Sequence, residues 1–265
     1  MSENMEERTD NKSPKTKLNK KLRFKHHPNL SNKVLSVICG RSGCGKTYLL
    51  FKILTTPNFL DYNNLIIYTT TSEQPIYQFL KHGFENKLSK PAIASLFEEY
   101  EKSEYEEEIS SWCEEAAKNE HLIESDKKKH ISIELIDDNG NMQDPNKLDK
   151  TKKHCVVFDD CVNNKDQSIQ RNYFTRGRHN NCSVFYLTQS MYSLDGSVIR
   201  KNANIFMLFE INSRNLMDLL RDLCVRDRVE FKHSCNNAWS KDYGFITVNI
   251  DKKVNERVIE DLFGD

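Results

Sequence analysis

The residues best suited to chemistry form one short glycine-rich segment that ends in a lysine and a threonine. They match the pattern G-x-x-x-x-G-K-[ST] in full, and they are Gly40, Arg41, Ser42, Gly43, Cys44, Gly45, Lys46 and Thr47. The glycines permit backbone conformations that point successive N–H groups at an anion, and a helix N-terminus behind them adds partial positive charge. Lys46 can reach β- and γ-phosphate oxygens, and the Thr47 hydroxyl can ligate Mg²⁺. The segment therefore predicts a P-loop that binds the phosphates of a nucleotide.

Two aspartates at the end of an apolar run supply the acidic side chains that such a loop needs. Cys155-Val-Val-Phe158 leads directly into Asp159 and Asp160. We assign Asp159 to Mg²⁺, through water, and Asp160 to orienting or polarising the attacking water. A pair of aspartates after a strand can also cap a helix. That alternative competes with the catalytic one at Asp160 and only weakly at Asp159.

Three more polar residues follow at positions where a phosphoryl-transfer site can use them. Gln189 ends a later strand, where its amide can hydrogen-bond both a γ-phosphate and the attacking water, or simply cap a loop. Arg176 and Arg178 lie in Thr175-Arg-Gly-Arg-His179. Either arginine can stabilise the transferring phosphoryl group across a subunit interface, contact DNA phosphates, or pair with surface carboxylates. These alternatives stay open at the level of sequence.

The elements that must position these residues are short buried strands that alternate with helices. Val34–Cys39 predicts a strand before the P-loop, and Thr47–Leu54 a helix that Pro57 ends. The remaining predicted strands are Leu65–Thr69, His154–Phe158, Cys182–Thr188, Ile205–Phe209 and Phe245–Ile250, the last with an edge position as one option, and the remaining helices are Ile169–His179 and Asn215–Leu223. This alternation is typical of an α/β fold with a mostly parallel central sheet flanked by helices.

Composition limits the class of protein and the compartment. The chain has 265 residues, no formal net charge and 37% apolar residues. No apolar run approaches the ~20 residues needed to cross a bilayer, and the N-terminus has no secretory signal. The eight cysteines include no C-x-x-C pair, which favours reduced thiols inside a cell. A zinc site from Cys155, Cys161 and His154 or His179 would have no usual ligand spacing.

The zero net charge is a sum of unlike segments. Residues 11–33 carry eight positive charges and no negative one, so we expect residues 1–33 to be a disordered basic tail. This tail is either an arm for nucleic acid or an acidic partner, or a solubilising leader. The ATPase domain would then span 34–265, with an acidic, helix-rich insertion at about 84–150. Within that insertion, Glu98–Asp126 holds twelve acidic residues and two lysines. It predicts either a solvated helical excursion packed on the main domain, or a docking surface or mimic of the DNA backbone. Residues 165–257 carry fifteen Lys and Arg against ten Asp and Glu, so the average excludes nothing about DNA.

The motifs exclude some activities and leave three hypotheses. Asn164-Lys165-Asp166 is too short for the guanine-binding N-K-x-D pattern, and no Ser-His-Asp or H-E-x-x-H signature is present. A P-loop phosphotransferase acting on a nucleotide or metabolite is one, a nucleotide-gated scaffold without catalysis is another, and the remaining one follows from the resemblance given next.

The order of the motifs resembles one family. GRSGCGKT, then VVFDD, then FTRGRHNNCSVFYLTQS, then IRKNANIFMLF is similar to the viral genome-packaging ATPases of the FtsK–HerA superfamily, in the branch found in poxviruses, giant viruses, virophages and Maverick/Polinton elements. The similarity covers about residues 34–55 and 154–222. Its specific part is the run from Phe174 to Ser190, because the P-loop alone is shared by very many proteins.

The resemblance implies a RecA-like core, ATP and Mg²⁺ as cofactors, and a homo-oligomeric ring that pumps double-stranded DNA into a preformed capsid. Carried over by position, Lys46 and Thr47 are the phosphate and Mg²⁺ residues, Asp159 and Asp160 the second motif, and Gln189 the sensor, while the arginine finger is Arg176 or Arg178. It also implies a capsid vertex or portal-like partner. The expected location is the host cytoplasm or a viral factory, with association with the virion as a further option.

Overall fold

The computed structural model describes residues 23–103, 108–120, 130–137, 141–161, 166–195, 198–211 and 227–264. The predicted helix at Asn215–Leu223 and residues 1–22 of the predicted tail lie outside these ranges. None of the helices in the described ranges combines the length and the apolar character needed to cross a bilayer.

Eight strands form one mixed sheet. They are β1 (Leu35–Cys39), β2 (Asn64–Thr69), β3 (Ser132–Ile136), β4 (His154–Asp159), β5 (Cys182–Thr188), β6 (Ile205–Leu208), β7 (Ile246–Asn249) and β8 (Val258–Ile259). The order across the sheet is β3-β2-β4-β5-β1-β6-β7-β8. The first six positions pair in parallel, and β7 and β8 add antiparallel pairs at one side. The predicted α/β fold with a mostly parallel sheet is confirmed.

Helices cover both faces of the sheet, as parallel strands require. They are α1 (Lys46–Thr55), α2 (Pro75–Glu85), α3 (Lys90–Lys102), α4 (Ile109–Glu120), α5 (Ser168–Arg176), α6 (Ile199–Asn202) and α7 (Arg228–Trp239). Residues of α1–α4 share one hydrophobic cluster with alternate strand residues, and residues of α5–α7 share a second cluster with the others. Val157 and Phe158 of β4, for example, belong to opposite clusters. The fold is therefore a three-layer sandwich whose sheet is buried on both faces.

The acidic segment at 84–150 contributes to this sheet. β3 pairs in parallel with β2 as the outermost strand on that side. Ile93 and Phe97 of α3 are buried in the same cluster as α1, and Cys113 of α4 joins them. The described part of the segment is thus integrated into the main domain, although strand β3 was not predicted.

Ordered packing begins before the predicted start at residue 34. Phe24 and Leu30 are buried, the His26 ring stacks on Phe24, and the His27 ring stacks on Phe59. The expectation of disorder up to residue 33 is therefore wrong for residues 23–33. Few apolar residues suffice here because they dock on a surface that the rest of the domain provides. β7 likewise lies inside the sheet, since β8 covers its outer side.

Candidate nucleotide-binding site

The P-loop has the predicted place between β1 and α1. Gly43 and Gly45 have φ angles of +74° and +99°, in the left-handed region that side chains disfavour. Gly40 lets the Cys44 and Phe209 side chains pack closely against the loop backbone, because a Cβ at this position would lie 2.6 Å from Cys44 Sγ and 2.6 Å from Phe209 Cβ. Such conformations in front of a helix N-terminus are suited to a concave backbone that could bind an anion.

Lys46 is folded over this loop. Its Nζ donates hydrogen bonds of 2.8 Å to the carbonyl oxygens of Gly40 and Arg41. The ammonium group is therefore held at the mouth of the cradle, where phosphate oxygens can replace the two carbonyls as its acceptors. Thr47 follows in the first turn of α1.

The strand order brings the other predicted residues to the same edge of the sheet. β5 lies between β1 and β4, with Cys39 opposite Thr188 and Asp159 opposite Leu187. The Gly40 N–H also donates to the Thr188 carbonyl at 3.2 Å. Since neighbouring strands lie ~4.8 Å apart, the end of β4 is about 10 Å from the start of the P-loop. The acidic strand is thus two positions away from the P-loop strand, and Gln189 follows the strand between them.

Asp159 is a buried carboxylate at the end of β4, only 7% exposed. The Tyr77 hydroxyl, in α2, donates a 2.5 Å hydrogen bond to Asp159 Oδ2. Burial raises the pKa of Asp159, and the neighbouring Asp160 raises it further, whereas the Tyr77 hydrogen bond and the Lys46 charge lower it. The carboxylate therefore lies close to the P-loop lysine and is held in one orientation.

Tyr77 is the site residue that sequence reasoning missed. It is completely buried, and besides its bond to Asp159 it interacts with the Thr47 side chain. Burial and the Asp159 charge raise the pKa of Tyr77 well above its usual value, so it remains a hydroxyl donor. No sequence pattern marks it, because a tyrosine in the apolar stripe of a helix looks like an ordinary core residue.

Asp160 has a strained backbone. Its φ angle is +52°, which costs a non-glycine residue about 1–2 kcal/mol, although aspartate tolerates this region better than most. In this conformation its N–H donates to the Asp159 carboxylate, while its own side chain is half-buried beside it. Asp160 does not cap α5, because the N-cap of that helix is Gln167, which makes no side-chain cap hydrogen bond; Asp166, one residue earlier, accepts from the Ser168 N–H at 2.8 Å through its Oδ1.

Gln189 is exposed, directly after β5. The turn at this point is held by the Thr188 hydroxyl, which donates to the Ser190 carbonyl at 2.9 Å and accepts from the Ser190 N–H at 3.2 Å. The loop therefore does not need the Gln189 amide to hold its shape, and Gln189 follows the strand that lies between the P-loop strand and the aspartate strand.

Arg176 and Arg178 lie at the opposite edge of the sheet. Arg176 is the last residue of α5, and Arg178 follows it; both precede β5, whose seven residues span about 23 Å. Arg176 is exposed. Arg178 is half-buried, and its Nη2 donates to the Asn202 carbonyl at 3.3 Å while its own carbonyl accepts from Lys33 Nζ at 2.6 Å. Neither arginine can reach the P-loop of its own chain.

The donor set at the P-loop edge fits Mg²⁺. The Thr47 hydroxyl and the Asp159 carboxylate are hard oxygen ligands, and Mg²⁺ takes its remaining ligands from phosphates and water. Tyr77 donates to Asp159 and lies near the Thr47 side chain, so the two residues are neighbours of one buried hydroxyl. A zinc site has no such support, because the His154 ring is already bonded to Asn64 Nδ2 and to the Asp149 carbonyl. Within the described ranges no group of three His, Cys, Asp or Glu side chains has metal-site geometry.

Comparison with known proteins gives matches to solved structures alone. No family model matches, and no curated protein matches. The chain is similar to the genome packaging NTPase B204 from Sulfolobus turreted icosahedral virus 2 in complex with AMP, at 12% identity and TM-score 0.47, covering 84% of this chain and 95% of that one. For the same NTPase in complex with ATP-gammaS, the identity is 15% and the TM-score 0.46, covering 87% of this chain and 97% of that one. For VirB4 of Thermoanaerobacter pseudethanolicus, the identity is 12% and the TM-score 0.44, covering 83% of this chain and 87% of that one.

Proposed function

We propose that this chain is an ATPase that drives double-stranded DNA into a preformed capsid. The observation that carries the ATPase proposal is the convergence of the P-loop, the Asp159–Asp160 pair and Gln189 at one edge of the sheet, with Lys46 close enough to Asp159 to lower its pKa. DNA and the capsid vertex come from the family resemblance of the motifs.

The chemistry follows from the positions of these side chains. Lys46 exchanges its two carbonyl contacts for phosphate oxygens when the nucleotide binds. Thr47 and Asp159 would hold Mg²⁺, which would supply positive charge to neutralise the phosphates. Asp160 orients the attacking water and accepts its proton. Gln189 hydrogen-bonds that water and the γ-phosphate, and so reports nucleotide state to the loop that follows β5.

An arginine must then come from a neighbouring subunit, because both candidates lie at the far edge of their own sheet. Arg176 is exposed, whereas Arg178 is bonded within its own chain and lines a pocket of about 540 Å³ with Lys33 and Lys252. Arg176 is therefore the better placed of the two for a finger in trans. The positive pocket around Arg178 suits contact with DNA phosphates, which a motor must make without reading sequence.

Turnover with and without DNA tests the proposal. ATP hydrolysis by the full chain should be Mg²⁺-dependent and should rise when double-stranded DNA is added at low salt. Lys46→Ala should abolish nucleotide binding, and Asp160→Asn should retain binding but lose hydrolysis. Asp149→Asn removes an exposed carboxylate away from the site and should change neither. Hydrolysis that ignores DNA in an intact oligomer, or phosphoryl transfer to a small acceptor, would favour the phosphotransferase instead.

Mixed oligomers test the arginines. Arg176→Ala subunits mixed with Asp160→Asn subunits should recover part of the activity, because some interfaces then combine an intact arginine with an intact aspartate. Arg178→Ala mixed in the same way should recover less. No recovery in either mixture, with oligomers still formed, would contradict a finger in trans.

A further inference from the structure

An exposed tyrosine lies directly against the P-loop. Tyr243 is 73% exposed, yet its Cδ1 lies 3.2 Å from the point that a Cβ on Gly45 would occupy. Its φ angle is +54°, a left-handed conformation that is a genuine outlier for a bulky residue. A large ring in a strained backbone, open to solvent and beside a phosphate cradle, needs an explanation that core packing does not give.

The turn that carries Tyr243 is fixed. The Gly244 N–H donates to the Lys241 carbonyl at 3.0 Å, and a Cβ on Gly244 would lie 1.8 Å from the Ala238 carbonyl oxygen, so the turn packs closely on the end of α7. Trp239 Nε1 donates to the Leu208 carbonyl at 2.9 Å and ties α7 to the end of β6. The ring is therefore presented in advance beside the loop.

The sheet order gives the bound nucleotide a direction. Asp159, Asp160 and Gln189 lie on the β5 and β4 side of the P-loop, so the γ-phosphate must point that way. The nucleoside then extends toward the other neighbours of β1, which are β6 and β7. Tyr243 stands on that side, three residues before β7 begins at Ile246, where β7 pairs with the end of β6.

We infer that Tyr243 stacks on the base of the nucleotide whose phosphates the P-loop binds. The inference rests on the proposed function, since it needs a nucleoside triphosphate at this site. Stacking on an aromatic ring accepts any base and strengthens binding by roughly 5- to 150-fold. Phe209 lies on the same side, with its Cε1 3.6 Å from the point that a Cβ on Gly45 would occupy. It adds a second apolar ring beside the loop.

Two ligands separate the base from the phosphates. AMPPNP carries both, and inorganic tripolyphosphate carries the phosphates alone, so the affinity of each for the full chain is measured by calorimetry with Mg²⁺. Tyr243→Ala should weaken AMPPNP by about tenfold or more and leave tripolyphosphate unchanged, while Tyr243→Phe should retain both affinities because it keeps the ring. Both variants keep the Cβ, so the backbone penalty is the same. Tyr192→Ala removes another exposed ring, on the β5 side, and should change neither affinity.

Specific outcomes would overturn the inference. Equal weakening of AMPPNP and tripolyphosphate in Tyr243→Ala would mean that the ring only supports the P-loop. Unchanged AMPPNP affinity in Tyr243→Ala, or a loss in Tyr48→Ala on the α1 side instead, would place the base elsewhere. Failure of the proposed function appears differently, because Lys46→Ala would then leave the affinity for both ligands unchanged.

Discussion

The hydroxyl of Tyr77 is the most informative single group to remove. It donates to Asp159 Oδ2 from inside the core and lies near the Thr47 side chain, so it orients one of the two residues assigned to Mg²⁺ beside the other. Tyr77→Phe deletes one oxygen and keeps the ring in place. The fold should survive this change, while the carboxylate loses the donor that fixes its orientation.

The size of the effect follows from the kind of hydrogen bond. A bond to a charged group contributes about 1.5–3 kcal/mol, compared with about 1 kcal/mol for a neutral pair. Removing a partner that orients a metal ligand typically weakens metal affinity 10- to 100-fold. Burial already raises the pKa of Asp159, and loss of the Tyr77 hydrogen bond raises it further. Both changes act in one direction, toward weaker Mg²⁺ binding.

The assay is the Mg²⁺ dependence of ATP hydrolysis, with Mn²⁺ binding by electron paramagnetic resonance as a readout that needs no turnover. In Tyr77→Phe the half-saturating Mg²⁺ concentration should rise 10- to 100-fold, and turnover should recover at high Mg²⁺. Tyr173→Phe is the matched control, because Tyr173 is also completely buried and its hydroxyl donates to a neutral acceptor, the Gln143 carbonyl, at 2.9 Å. It should cost about 1 kcal/mol of stability and leave the Mg²⁺ requirement unchanged.

Two results would refute this reasoning. An unchanged Mg²⁺ requirement in Tyr77→Phe, with Mn²⁺ affinity equal to wild type, would show that Asp159 does not hold the metal or does not need orienting. An equal shift in Tyr173→Phe would show that general loosening of the core, rather than the bond to Asp159, controls the metal site.

Three further predictions use other contacts. Burial raises the pKa of Asp159, so the ionised side chain destabilises the fold at pH values above the usual aspartate pKa. Asp159→Asn should therefore abolish hydrolysis but raise Tm at pH 7 without Mg²⁺, by about 2–4 °C for each kcal/mol gained. In thermal melts this gain in Tm should vanish near pH 4. Gly40→Ala places a Cβ 2.6 Å from Phe209 Cβ, so it should lower the free energy of unfolding in urea by about 1–3 kcal/mol. It should also weaken nucleotide binding. Burial lowers the pKa of His26 to about 4, so as the pH falls below 6.5 the unfolded chain takes up a proton that the folded chain does not. The free energy of unfolding should therefore drop by on the order of 2–3 kcal/mol between pH 6.5 and pH 4. His26→Gln should make the free energy of unfolding depend less on pH over this range.

The elements and motifs that sequence predicted correctly are those with a local signal. A strand buried on both faces reads as a continuous apolar run, which is why β1, β4 and β5 were found within about a residue of their ends. The P-loop is complete within eight residues, so its position between β1 and α1 needed no tertiary information. The described part of the site therefore contains the predicted residues of the loop where the pattern placed them.

What sequence could not supply depends on contacts between distant segments. Tyr77 and Asp159 are 82 positions apart, and only the packing of α2 against the end of β4 brings them together. β3 lies in an acidic segment and is half-buried at the outer side of the sheet, so its pattern is weak. Residues 23–33 hold too few apolar groups to predict packing, yet Phe24 and Leu30 are buried on surfaces formed by the rest of the chain.

The order of the strands explains why a single edge can hold both halves of the chemistry. β1 and β2 follow one another in the chain, but β4 and β5 lie between them in the sheet. Parallel strands are joined by crossover connections, and the crossover from β1 to β2 passes over two strand positions. β4 and β5 occupy those two positions later in the chain. Gln189 thereby comes to lie between the P-loop and Asp160, whereas β6, the opposite neighbour of β1, carries neither Asp159 nor Asp160. Under the proposed function, that asymmetry would separate a side for phosphoryl transfer from a side for the nucleoside, and it is set by topology rather than by any local motif.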